Sequence, residues 1–330
     1  MSRFKDIISI VAEGLREFFG FGAYKRPAEG WFSWQHVVFV SSLMLIMLGL
    51  AIWLGLRNRR RDEKSKNKVL IAAAFLIDGF EIFKIIIMGS RGNNLLFALP
   101  LFLCSIPLFA IPMAAFCRGR LKEASLDFVF IFGLLIAFMG TYGAGQNYSC
   151  YPVLSFDNVV SGITHAISGF TALYIAVAGM VNMKKRNIGI SFLILTVFCA
   201  MAYVADVLIP YNYMFLMRGD GTPYDIFYDL VNGNRILYPL IVVGLFLVYI
   251  TAFYLAYFGI AGLRARRRSH AGGADLSGAA GNAELPVEAG FPGEAELPGA
   301  ADAPAAAKVS GEAVLPGGAD AHRAFDARQP

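Results

Sequence analysis

WQHVVFVSSLMLIMLGLAIWLGL, residues 34–56, contains no Asp, Glu, Lys or Arg, and Arg57, Arg59, Arg60 and Arg61 follow it closely. An α-helix rises about 1.5 Å per residue and a bilayer's hydrocarbon core is about 30 Å thick, so a run of this length predicts a membrane-crossing helix. Further apolar runs occupy residues 69–89, 95–117, 127–146, 157–182, 188–209 and 236–263. The expectation is an all-α polytopic membrane bundle of seven transmembrane helices. Composition agrees, because 57% hydrophobic and 16% charged residues over 330 positions, with a mean hydropathy of +0.56, fit a membrane protein rather than a soluble or disordered chain. The second run is the least apolar, since Asp78, Glu81 and Lys84 interrupt it, and it spans if those groups face the bundle interior.

Basic residues orient the bundle. Loops on the C-terminal side of a seven-helix arrangement hold seventeen Lys and Arg, against eight on the N-terminal side. Positive charge stays in the cytoplasm, which predicts an external N terminus and a cytoplasmic C terminus in a cell membrane. Trp31 and Trp34 at one end of the first helix and Trp53 near the other fit aromatic belts at both interfaces. The basic run at 57–68 has no nucleic-acid motif beside it and is expected to face anionic lipid, so the expected partners are membrane lipids and not nucleic acid. Cys104, Cys117, Cys150 and Cys199 lack CxxC or CxxH spacing, so the sequence indicates no disulfide framework, no metal site and no cofactor.

The ends differ from the middle. Within residues 1–30, Phe4, Ile7, Ile8, Val11, Leu15 and Phe18 recur at helical spacing, which predicts an amphipathic helix lying in the interface or, equally, on a protein surface. A transmembrane domain over 31–268 follows. Residues 269–330 turn to Ala, Gly, Pro and Glu and carry three Lys/Arg against nine Asp/Glu, a composition that buries too little apolar surface to offset its ordering entropy. A disordered cytoplasmic tail is expected there.

Ionisable groups inside a membrane are costly, which makes Asp78, Glu81, Lys84, His165 and Asp206 candidates for function. Glu81 and Lys84 lie three apart and can neutralise each other, and Lys84 and Asp206 sit close to helix ends. Counted from the outer ends of their helices, Cys104 and His165 both fall about 14 Å deep, with Asp78 and Glu81 at about 16 and 12 Å. Pro100, Pro107 and Pro112 interrupt the third helix, and Pro107 frees the carbonyl of Leu103 beside Cys104. A thiol and an imidazole in one layer are the minimal arrangement for acyl transfer through a thioester.

The stretch 99–106 (LPLFLCSI), the mid-helix His165 and the stretch 211–216 (YNYMFL) resemble the YwaF-like bacterial integral membrane proteins, a family related to the animal ether-phospholipid acyltransferase transmembrane protein 164. The resemblance covers about residues 30–262 and implies that Cys104 and His165 move an acyl chain between lipids. Where those bacterial proteins often carry a histidine two residues before the cysteine, this chain has Phe102. The leading expectation is therefore a lipid acyltransferase with Cys104 as nucleophile, His165 as base and then acid, Asp78 or Glu81 orienting the imidazole, and Ser105 or Asn212 assisting the oxyanion. A transporter or channel would instead use Asp78, Glu81 and His165 to bind a proton or small cation. A sensor or scaffold would need none of them. A retinal photoreceptor is disfavoured, because residues 236–263 contain no lysine for a Schiff base.

Overall fold

In the computed structural model residues 2–279 are described, and every regular element among them is helical. In chain order these are α1 (Ser2–Phe18), α2 (Trp34–Asn58), α3 (Glu63–Ser90), α4 (Pro107–Phe116), α5 (Gly119–Met139), α6 (Gly145–Cys150), α7 (Phe156–Val177), α8 (Ile188–Leu208), α9 (Asp225–Leu230) and α10 (Leu237–Ala279). Short polar side chains start several of them: Ser33, Asp62 and Ser155 accept the backbone N–H of His36, Ser65 and Asn158. Gly179, at φ +70°, ends α7 in the left-handed turn that lets the Met180 N–H return to the Ile175 carbonyl at 2.9 Å.

Four segments are long and apolar enough to cross a membrane: Trp34–Asn58, Phe156–Val177, Lys185–Leu208 and Leu237–Leu263. α3 and α5 are also long, at 28 and 21 residues, but α3 carries ionisable groups along its length and α5 carries them between Arg120 and Asp127. The third expected helix, 95–117, is not continuous. It divides into 3-10 turns at Leu95–Ala98 and Leu103–Ser105 and the ten-residue α4. The prolines are the cause. Leu99 is extended (φ −59°, ψ 137°), as a residue preceding proline prefers, and Pro107 begins α4 where its missing N–H is not needed. The fourth expected helix, 127–146, is displaced toward the N terminus. α5 begins within the basic stretch after Arg118 and ends at Met139. α10 continues past residue 268 to Ala279, and the remainder of the expected disordered tail, 280–330, lies outside the described residues.

α7 is the hub, packing on α2, α3 and α5. Apolar attraction between helices is weak in lipid, so close approach depends on small residues that let dispersion forces act between backbones. The α5–α7 seam has them. A Cβ on Gly133 would stand 2.7 Å from both the Ser168 carbonyl oxygen and the Ala172 Cβ, and one on Gly169 would stand 2.6 Å from the Ala137 Cβ and 2.5 Å from the Met47 sulfur of α2. Other contacts of α5 are made by rings. Phe130 meets Phe253 at 5.4 Å and Phe132 meets Tyr249 at 5.3 Å between centroids, while the Tyr249 hydroxyl donates to the Ile131 carbonyl at 3.1 Å.

The N-terminal segment is tied to one end of this bundle. The Tyr24 hydroxyl donates to Asp157 Oδ2 at 2.5 Å, Arg91 Nη1 donates to the same oxygen at 2.8 Å, and Arg91 also lies over the rings of Tyr24 and Phe156. Trp31 Nε1 donates to the Tyr142 carbonyl, and the Val153 N–H donates to Glu29. His36 accepts the Phe32 N–H at Nδ1, so its Nε2 carries the proton donated to the Thr141 carbonyl. These tethers leave Phe4, Ile7, Ile8, Ile10, Val11 and Leu15 of α1 between 52% and 70% exposed. That apolar face is uncovered by protein among the described residues.

Burial, then the bond to Asp157, holds the Tyr24 phenol up at about 12 against its ordinary 10.0. Raised ionisation in the folded state means that the tether's contribution is complete below about pH 10 and disappears as pH rises through about 12. Tyr24→Phe is expected to lower stability by about 1.5 kcal/mol at pH 8, the scale of a hydrogen bond to a charged acceptor. Thermal unfolding of detergent-solubilised protein checks this, and the gap between wild type and variant should close at the alkaline end.

Candidate functional site

The candidate residues come from three elements. Cys104 is in the middle of the 3-10 turn Leu103–Ser105, where the proline-broken backbone leaves its side chain exposed. His165 lies midway along α7, half-buried. Asp78, Glu81 and Lys84 lie on α3.

His165 is held by its own helix. Nδ1 is 2.6 Å from the Ser161 carbonyl oxygen, one turn earlier, and that acceptor requires the proton to be on Nδ1. Nε2 therefore carries the lone pair, and it makes no hydrogen bond among the described residues. The ring edge bearing Nε2 and Cδ2 lies on Gly140 at the C-terminal end of α5. A Cβ at that glycine would be 2.0 Å from Nε2 and 1.7 Å from Cδ2, so only glycine leaves the space the imidazole occupies.

The expected carboxylate partner of the imidazole is not found at Nδ1, because the Ser161 carbonyl already occupies that position. Glu81 is buried and committed elsewhere, with its carboxylate 2.6 Å from Lys84 Nζ across one turn of α3. Taking both charges from water together is far less costly than burying either alone. Asp78 is half-buried and has no hydrogen bond or ion pair among the described residues. The ammonium of Lys84 lies within Coulombic range of both the Cys104 thiol and the His165 imidazole, and Glu81 within that of Cys104. Lys84 is thus common to the surroundings of thiol and imidazole, although no hydrogen bond joins those two directly among the described residues.

Asn212 also differs from expectation. Its Oδ1 accepts the N–H of Met217 and Arg218, and its Nδ2 donates to the Arg218 carbonyl and to Asp220 at 2.7 Å. Both ends of the amide are used in closing the loop after α8, which leaves no donor for an oxyanion. The same loop holds Met214 and Phe215 at φ +55° and +59°, a left-handed conformation costly for side chains of this size and sustained by the surrounding bonds. Ser105 remains beside Cys104 with its side chain buried and its backbone N–H donated to Phe102.

Contacts that sequence spacing does not reveal connect these parts. Asp206 accepts the Tyr213 N–H at 2.6 Å, the Tyr213 hydroxyl donates to the Leu96 carbonyl, and Phe102 packs edge-on against Tyr213 and Tyr211 at 5.1 and 6.1 Å. Residues 99–106 and 211–216, far apart in sequence, therefore meet through aromatic rings next to Cys104. A phenylalanine at 102 is at home in that packing.

A bundle of apolar helices with ionisable groups turned inward and a proline-broken segment defines a polytopic membrane protein. The chain matches the TMEM164 family over residues 31–260, and it belongs to that family. The match takes in Cys104, His165 and the loop at 211–216 and begins after α1. No curated protein and no solved structure matches the chain.

The contact between Gly140 and His165 gives a test by coupling. Gly140→Ala is expected to destabilise by about 1–3 kcal/mol through forced displacement of the ring. His165→Ala removes the obstacle, so the double variant should regain most of that loss. Thermal unfolding of the four proteins measures the cycle, and additive losses would separate the two residues.

Proposed function

We propose that this protein is a membrane-embedded lipid acyltransferase in which Cys104 and His165 work as nucleophile and base. The observation that carries the reading is the fixed tautomer of His165, whose proton on Nδ1 is held by Ser161 and whose Nε2 keeps its lone pair, with Lys84 near both the imidazole and Cys104. Catalytic hydrogen bonds are often unformed before substrate binds, so the absence of a direct thiol–imidazole bond is compatible with the role.

In this mechanism Nε2 takes the thiol proton as sulfur attacks the ester carbonyl of an acyl lipid. The C–O bond breaks, the imidazolium returns the proton to the departing lyso-lipid alkoxide, and a thioester remains on Cys104. A second lyso-lipid hydroxyl then gives its proton to Nε2 and attacks the thioester, restoring the thiol and forming the new ester. Lys84 favours the anionic thiolate and the tetrahedral oxyanion through its charge. Exposure of Cys104 gives an acyl chain access from the lipid side. Membership of the TMEM164 family and the resemblance of 99–106, His165 and 211–216 to the YwaF-like bacterial proteins support the same reading. Transport of a proton or cation is less well supported, because Glu81 is neutralised by Lys84 and His165 is fixed by Ser161, leaving Asp78 alone of the three without a hydrogen bond or ion pair among the described residues.

The accompanying topology is seven crossings of a cell membrane, made by α2, α3, the broken segment 95–116, α5, α7, α8 and α10, with the N terminus outside. The excess of Lys and Arg at one end supports it. Reporter fusions at Asn67 and Lys185 should read cytoplasmic and one at Asn147 external; the opposite pattern would reverse the orientation. The chemistry is tested with a reactive acyl-ester probe on purified protein. Cys104→Ala should abolish a hydroxylamine-sensitive acyl adduct, and His165→Gln should slow its formation by at least a hundredfold, within the range assigned to general base catalysis. An adduct that persists in Cys104→Ala would end the proposal.

A further inference from the structure

Asp206 takes no part in the acid–base steps above, yet it lies where the thiol-bearing segment is braced. It is 3% exposed in the last turn of α8, and its Oδ1 accepts the Tyr213 N–H at 2.6 Å. Oδ2 is buried and makes no hydrogen bond among the described residues. Such a group is costly in a membrane core, and the bond it does make falls on the residue that packs against the Cys104 segment.

Tyr213 is fully buried and touches that segment twice. Its hydroxyl donates to the Leu96 carbonyl in the 3-10 turn Leu95–Ala98, and its ring meets Phe102 at 5.1 Å between centroids. Tyr211 flanks both rings, 4.8 Å from Tyr213 and 6.1 Å from Phe102. Phe102 immediately precedes the turn Leu103–Ser105, and its carbonyl accepts the Ser105 N–H at 2.9 Å, closing the backbone around Cys104. The neighbouring backbone bonds, from Leu101 to Leu99 and from Ile106 to Leu103, are equally local. Bonds of that kind fix the shape of the segment and not its place in the bundle. Its place comes from the rings, and the rings belong to a loop that needs holding. Met214 and Phe215, next after Tyr213, are left-handed, a conformation that persists where the surroundings over-determine it. Asn212 ties this loop to its own residues 217, 218 and 220, whereas the bond from Tyr213 to Asp206 ties it to α8.

We propose that Asp206 is a positioning residue for the acyl transfer: by holding the Tyr213 backbone to α8 it seats Phe102, and with Phe102 the turn that presents the Cys104 thiol. The role rests on Cys104 acting as nucleophile. Asp206 acts through Tyr213, and its effect is on where the sulfur stands when an acyl carbonyl arrives, a placement to which rates are steeply sensitive.

The test follows adduct formation with the reactive acyl-ester probe, and backbone amide exchange, on the purified full chain. Asp206→Leu keeps a side chain of similar size but leaves the Tyr213 N–H without its acceptor. It should lower the saturating rate of adduct formation by about tenfold or more, with the half-saturating probe concentration unchanged to within about twofold. In the same variant the amides of Ser105 and Ile106 should exchange about tenfold faster or more, while those midway along α2 keep their wild-type rates. Asp206→Asn retains an oxygen for the same N–H and should stay within about threefold of wild type in both measurements. If Asp206→Leu does not fold, Phe102→Leu cuts the same chain of contacts at its other end without touching α8, and should give the same fall in rate and the same faster exchange. Unchanged adduct formation or unchanged exchange in the leucine variant measured, or an Asp206→Asn protein as slow as Asp206→Leu, would overturn the proposal. A wild type that forms no adduct at all would instead remove the acyl-transfer reading, and the positioning role with it.

Discussion

The backbone contact between α5 and α7 is the constraint on which the rest of the bundle depends. In lipid no water is released when two apolar helices meet, so the contact must come from dispersion at short range and the absence of intervening side chains. Gly133 and Gly169 provide that absence, with Ala137, Ser168 and Ala172 as equally small neighbours. Because α7 also packs on α2 and α3, the depth at which it seats in α5 sets the height of every group it carries. His165 is one of those groups. Its ring fills the space above Gly140, where the same seam reaches the end of α5.

The seam also explains why the imidazole is oriented by a backbone carbonyl. A carboxylate brought to Nδ1 would need its own desolvation offset, whereas the Ser161 carbonyl is already buried within the helix and is available one turn away. On α3 the two opposite charges solve the same problem for each other, Glu81 with Lys84. Around the candidate site these polar groups are thus satisfied within single helices, while the contact of α5 with α7 is left to shape.

That division matches what was legible in the sequence. Spans such as 34–56 follow from composition alone, because a helix that satisfies its own backbone in lipid needs only length and apolarity. The pairing of Glu81 with Lys84 follows from their spacing, and the break in the third span follows from Pro100 and Pro107, although the expected span was drawn through it. The starting point of α5 was misplaced because charged residues near Lys122 were assigned to a loop, while helical geometry tolerates them where they can reach polar partners. Gly140 and the pairing of Phe102 with Tyr213 were not legible, since each is a contact between segments distant in sequence. Asn212 was assigned to chemistry because its short motif has a polar side chain, and only the closed loop reveals that both ends of the amide are occupied.

α5 meets opposite requirements toward two of its neighbours. Toward α7 it has no room for a methyl group at Gly133, and toward α10 it relies on the bulk of Phe130 and Phe132 to bridge a wider gap. Mutational drift along this helix is therefore directional. Growth of a side chain is excluded toward one neighbour, shrinkage toward the other, and average hydrophobicity, unchanged by either, records neither loss.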